Sequence, residues 1–154
     1  MSIFALLILF QIKHFGADFL LQGKYMMGKF NRDWSFFWPL AAHAGVNGLY
    51  TLVICLAVGP NFWWLALVDT VTHFFIDRLK AGQNYLGRFK LMSSSEMNEN
   101  MEFLKIEHAL GQEYDKNILK AIRHNSYFWL ALGFDQALHQ LVYIFIIAVL
   151  MNAI

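Results

Sequence analysis

The chain has 154 residues, 58% hydrophobic, 17% aromatic and only 15% charged, with a formal net charge of +1. Soluble domains average about 45–50% apolar and about 25% charged residues, so the composition excludes an ordinary soluble globule and predicts a polytopic membrane protein. The length allows one domain, 1–154, and the single Cys55 excludes an intrachain disulfide and reads as a small buried hydrophobe.

A membrane span needs about 20 largely apolar residues. Four stretches qualify, at about 1–22, 36–58, 61–79 and 127–151. The first opens on "MSIFALLILF", which lacks the positive n-region and A-x-A site of a signal peptide and continues as a helix through "QIKHFGADFLLQ". The polar stretch "GKYMMGKFNRDWS" separates it from the second span, and "GPN" makes a tight turn between the second and third. After the third comes the one long polar segment, about 80–126. Within it, "EMNENMEFLKIEHALGQEYDKNILKAIRHN" spaces Met101, Leu104, Ala109, Ile118, Leu119 and Ile122 among acids and bases. That pattern predicts one or two amphipathic helices broken near Gly111, with His108 and His124 solvated. The segment reads as a cap on the bundle or membrane surface, with a protein partner as the sharper alternative.

Lys and Arg fall in the first loop (Lys24, Lys29, Arg32) and the third (Arg78 through Arg123), while the second loop and the C-terminus have none. The positive-inside rule therefore places loops 1 and 3 in the cytoplasm and both termini outside, in an integral membrane protein expected in a bacterial inner membrane. Trp34, Trp38, Trp63, Trp64 and Trp129 lie near the proposed span ends, where aromatic belts sit.

The expected fold is all-α: a four-transmembrane-helix bundle with a helical cytoplasmic loop between helices 3 and 4. Each span carries one polar face, since residues three and four apart share a side of a helix. The first has Gln11, His14, Asp18 and Gln22; the second Ser35, Pro39, His43, Asn47 and Thr51; the third Asp69, His73 and Asp77; the fourth Asp135, His139 and Tyr143. Counting at about 1.5 Å per residue sets His14, His43, His73 and Asp135 about two turns in from the cytoplasmic ends. In three spans a carboxylate lies one turn nearer the cytoplasm than its histidine: Asp18 under His14, Asp77 under His73, Asp135 under His139. Antiparallel helices need opposite sequence orders for that. The chain supplies H-x3-D in spans 1 and 3 and D-x3-H in span 4.

An ionisable group at a bilayer centre costs roughly 2.5–3.5 kcal/mol on insertion scales. Turning the four stripes inward creates one polar centre, and a divalent cation would offset much of its burial cost. Imidazole with carboxylate suits Zn²⁺, with Fe²⁺ or Mn²⁺ as alternatives. His14, His43, His73, Asp77, Asp135 and His139 are the candidate metal ligands, and Asp18 or Asp69 the candidate general base. The bland alternative is a set of interhelical hydrogen bonds and ion pairs that lock the bundle. Lys13, the odd cation of the first span, could snorkel, pair with an acid or hold an anionic headgroup.

The blocks "HFGADFLLQ", "HAGVNGLYTL", "THFFIDRLK" and "FDQALHQLV" resemble those of a bacterial and phage family of small integral-membrane proteins of unknown function. Its pattern runs H-x3-D-F-x-x-Q, a helix with His, T-H-x-x-I-D-x-x-K, then D-Q-x-x-H. The resemblance covers all four spans and carries His14, Asp18, Gln22, His43, His73, Asp77, Asp135, Gln136 and His139, while the third loop is longer than the family's link. It implies no established activity. A looser similarity to membrane-bound metal-dependent hydrolases is fold-level analogy.

The leading expectation is a metal-dependent hydrolase of a lipid-linked or amphipathic substrate. Membrane lipids are its expected partners, with a homo-oligomer and a loop-binding protein left open and nucleic acid not expected. Proton or ion translocation is the second reading, weakened by the featureless outer halves "LVICLAV" and "IFIIAVL". Bis-histidine haem is the third, disfavoured by the many carboxylates. A structural or interaction protein acting through its loop is the fourth. Thr70 and Thr72 are read as bonded to helix backbone rather than as nucleophiles.

Overall fold

The computed structural model describes residues 1–152, which are mostly helical with no strand among them. Five α-helices follow in order: α1 (Ile3–Phe15), α2 (Phe37–Val58), α3 (Trp64–Ala81), α4 (Ser94–Ala109) and α5 (Lys116–Met151). Local signals set their starts. Ser2 accepts from the Ala5 amide at 3.3 Å before α1. Ser93 and Glu96 form a reciprocal capping box before α4. Asp115 accepts from the Asn117 amide at 2.7 Å before α5. Such side chains satisfy amides that the first helical turn leaves without partners.

Three helical stretches, Ile3–Leu20, Trp34–Val58 and Lys116–Met151, are long and apolar enough to cross a membrane. α3 is 18 residues long but carries Asp69, Asp77, Arg78 and Lys80. The tight turn expected at "GPN" is a 3₁₀ turn over Pro60–Phe62, and α2 and α3 make the most extensive pairing in the molecule. The expected break near Gly111 is present, with Gly111 at φ 65° closing α4.

The segment before the last span differs from expectation. It is not a separate loop helix: α5 runs unbroken through 36 residues. That is about 54 Å of helix, well beyond the roughly 30 Å of a hydrocarbon core. Nothing from Lys116 to Met151 breaks it, since no proline occurs and a lone Gly133 is tolerated.

One end of the bundle closes with an apolar cluster: Leu6 and Phe10 of α1, Ile54 and Cys55 of α2, Leu65 of α3, and Tyr143, Ile146, Ile147 and Leu150 of α5. The buried polar side chains lie on the other side of it, toward Lys29 and the α3 C-terminus. Cys55 is fully buried, as read from sequence, and the five tryptophans are exposed.

Candidate metal centre

The stripes converge. His14, His43, Asn47, Thr51, Asp69, His73, Asp77, Asp135, His139 and Tyr143 are all buried. The turn after α1 contributes a distortion. Gly16–Leu20 forms a π-helical turn, in which the Leu21 amide reaches back to the Gly16 carbonyl at 2.9 Å. Wide turns of this kind inside helices often mark functional sites. Here it carries Asp18, whose Oδ1 accepts from Asn47 Nδ2 of α2 at 2.8 Å.

Around Asp18 and Asp77 the histidines present their Nε2 atoms to one another. His43 Nε2 lies 3.2 Å from His73 Nε2 and 3.1 Å from Asp77 Oδ2. His73 Nε2 lies 3.8 Å from Asp77 Oδ1. Asp18 Oδ1 is 3.5 Å from both imidazole nitrogens. His139 Nε2 lies 3.3 Å from Asp77 Oδ1 and 3.7 Å from Asp135 Oδ1. Asn47 Nδ2 also lies 3.1 Å from His73 Nε2.

Ligand atoms about 2.0–2.1 Å from a tetrahedral zinc sit about 3.3 Å from one another, so these separations are of the size found between ligands that share an ion. Three sets of ligand atoms are close enough to share a cation: His43, His73 and Asp77; Asp18, His73 and His139; Asp77, Asp135 and His139.

Two expected members stand elsewhere. His14 belongs to none of these sets. Its Nδ1 faces Asp18 Oδ2 and the Tyr143 hydroxyl, each at 3.0 Å, and its Nε2 meets Gln136 Oε1 at 2.8 Å. Asp69 is likewise apart. Its Oδ2 accepts from Lys13 Nζ at 2.7 Å and from the Thr51 hydroxyl at 2.6 Å. Of the three fates open to Lys13, pairing with an acid is the one it takes, and it also donates to Tyr143 Oη at 3.1 Å. Thr70 and Thr72 bond the carbonyls of Ala66 and Val68, each at 2.8 Å, as their helical setting implies. His108 meets Tyr114 at the surface, and His124 packs its edge on Phe89.

Lys29 is the residue the sequence concealed. It lies in the first loop, yet it is only 7% exposed and donates to Asp77 Oδ2 at 2.7 Å and to Gln22 Oε1 at 2.8 Å. The turn Met26–Phe30 brings it there. Gly28 permits the approach, since a Cβ at that position would stand 2.8 Å from Pro39 Cγ. An accessible signal existed: the stretches read as spans hold four aspartates against Lys13 and the terminal Arg78, so a further cation from outside them was to be expected.

A cavity of about 210 Å³ borders the cluster, and its polar lining is Asp18, Asp77, Asp135, Lys29, Lys80, Gln22 and Gln136. Phe19, Phe30 and Leu132 supply its apolar side. The chain belongs to the family described as "Protein of unknown function (DUF3307)", whose profile matches residues 6–154. No curated protein and no solved structure matches it.

Proposed function

We propose that the chain is a metal-dependent membrane hydrolase acting on a lipid-linked or amphipathic substrate from the cytoplasmic leaflet. In this reading α3 is a fourth span. Its acids and histidine face the bundle, where the other three helices shield them from lipid. Loops 1 and 3 are cytoplasmic and both termini outside, following the distribution of Lys and Arg.

The observation that carries the reading is the meeting of His43 Nε2, His73 Nε2 and Asp77 at ligand-to-ligand spacing. Three protein ligands with a fourth position left to water or substrate is the pattern of catalytic zinc. A divalent ion held there, Zn²⁺ first and Fe²⁺ or Mn²⁺ next, would supply Lewis acidity and lower the pKa of a water. Asp18 borders the cavity beside both imidazoles and serves as the general base. His14 holds Asp18 from behind and acts as a positioning residue.

The charge balance supports a cation. Asp18, Asp69, Asp77 and Asp135 meet Lys13 and Lys29, which leaves two negative charges when the imidazoles are in the neutral form that binds a metal. One divalent ion neutralises them. Two protonated imidazoles would do the same, which is the structural-network alternative. Conduction is disfavoured by the apolar cluster that closes the other half of the bundle.

Metal analysis by mass spectrometry of untagged protein in mild detergent tests the reading. Near-stoichiometric zinc, iron or manganese is expected in the wild type and in His14→Ala, with loss in His43→Ala and His73→Ala. A folded wild type without metal would refute the centre.

A further inference from the structure

We infer that the centre holds two divalent cations bridged by Asp77, and that the second binds together with an oxyanion of the phosphate class. This rests on the metal reading above and extends it to a second site and a substrate chemistry.

The two oxygens of Asp77 face different groups. Oδ2 lies 3.1 Å from His43 Nε2, while Oδ1 lies 3.3 Å from His139 Nε2. Asp77 is therefore common to two ligand sets, His43–His73–Asp77 and Asp77–Asp135–His139. A carboxylate between two ligand sets can bridge two ions, and paired ions about 3.5–4 Å apart recur in phosphatases, nucleases and aminopeptidases.

Asp135 gives an independent sign. It is 7% exposed and lines the 210 Å³ cavity. Its Oδ2 accepts from Gln136 Nε2 at 3.0 Å. Its Oδ1 is buried with no hydrogen-bond partner. A desolvated carboxylate oxygen without a donor is costly, and a cation at that oxygen removes the cost. His139 Nε2, 3.7 Å away, completes the set with Asp77.

Charge then selects the ligand. The first ion neutralises the two negative charges that Lys13 and Lys29 leave. A second adds two positive charges to a buried site, so it enters with an anion. The cavity beside Asp135 is where that anion fits, with Lys29 and Lys80 on its walls and Phe19, Phe30 and Leu132 along its apolar side. Two clamping ions suit a phosphoryl group, and the apolar side suits a lipid stem.

The test is a Mn²⁺ titration of the full chain in detergent, read by electron paramagnetic resonance. It is run alone, with inorganic phosphate and with dihexanoyl phosphatidic acid. The expected result is two equivalents with an exchange-coupled spectrum, the second tightening at least tenfold with phosphate or the lipid. Tightening by both assigns the phosphate group as the recognised chemistry; tightening by the lipid alone assigns the whole headgroup. Asp135→Asn and His139→Gln are each expected to retain one uncoupled equivalent. One uncoupled equivalent in the wild type overturns the second site and leaves the first intact, whereas none overturns both. Two equivalents indifferent to phosphate and lipid overturn the oxyanion, and two that persist in both variants overturn the assignment to Asp135 and His139.

Discussion

Replacing Lys13 by Met leaves Asp69 as a nearly uncompensated buried charge. Lys13 and Asp69 are 2% and 1% exposed, and their ion pair spans 2.7 Å. Met keeps most of the side-chain volume, so the loss is electrostatic. The Thr51 hydroxyl remains as a neutral donor to Asp69 at 2.6 Å. Breaking a buried pair from one side costs about 3–5 kcal/mol. Unfolding in detergent keeps each segment helical and partly able to find other partners, so the lower half of that range, about 3–4 kcal/mol, is expected. Asp69→Asn should cost a similar amount, since it leaves Lys13 without its counter-charge and with only neutral acceptors such as Tyr143 Oη. The double variant removes both charges and should recover at least about 2 kcal/mol relative to the sum of the singles. Reversible unfolding in mixed micelles, followed by circular dichroism, measures all four corners of the cycle. Two single variants within about 1 kcal/mol of wild type, or a double variant equal to their sum, would refute the reasoning.

Two further perturbations probe other parts of the fold. Gly48→Ala forces a Cβ to 1.8 Å from Thr70 Oγ1 and 3.2 Å from the Ala66 carbonyl, so α2 and α3 must part. Overpacking of this kind costs about 1–3 kcal/mol, and adding Thr70→Ala should restore part of it in the same unfolding assay. Outside the spans, the capping box holds the Glu96 carboxyl below its usual range through hydrogen bonds from Ser93. A lowered folded-state pKa means stability present above the unfolded value of 4.5 and lost as pH falls through the folded one. The protection of α4 amides against exchange, taken relative to the intrinsic rate at each pH, should therefore fall on acidification below about pH 4.5, and Ser93→Ala should weaken that dependence.

The polar half of the site was legible because lipid leaves little choice. A helix with one polar face must turn it inward, so a spacing of three and four residues located most of the buried groups. The stripe ends did not follow: Gln11 pairs with Gln140 on an exposed face, and Ser35 bonds Asn31 in the first loop. Spacing also could not reveal the π-turn at Gly16–Leu20. It changes which atoms Asp18 and His14 can reach, and with them the division between ligand and support. The continuity of α5 was hidden for another reason. Composition changes at about residue 126, but helix geometry does not respond to a change from charged to apolar residues.

Lys29 bears on why the centre exists at all. A bundle that needed only stability could fill this layer with apolar side chains, since buried ion pairs often contribute less than the hydrophobic groups that could replace them. Instead, a loop folds inward to set an ammonium on Asp77, while Asp135 keeps one oxygen without a donor. A network built only to lock helices would spend its donors on its own acceptors. Here Asp135, with its unmet oxygen, lines a cavity that has both polar and apolar residues, and the opposite end is sealed by Leu6, Phe10, Ile146 and Leu150. That asymmetry favours a site approached from one leaflet over a path between two. On the proposed metal reading Lys29 has a distinct role: its ammonium, 2.7 Å from Asp77 Oδ2, would cover that oxygen until a divalent ion competes for it. Lys29→Gln should therefore bind the first Mn²⁺ equivalent more tightly than wild type, and weaker binding in that variant would count against this role.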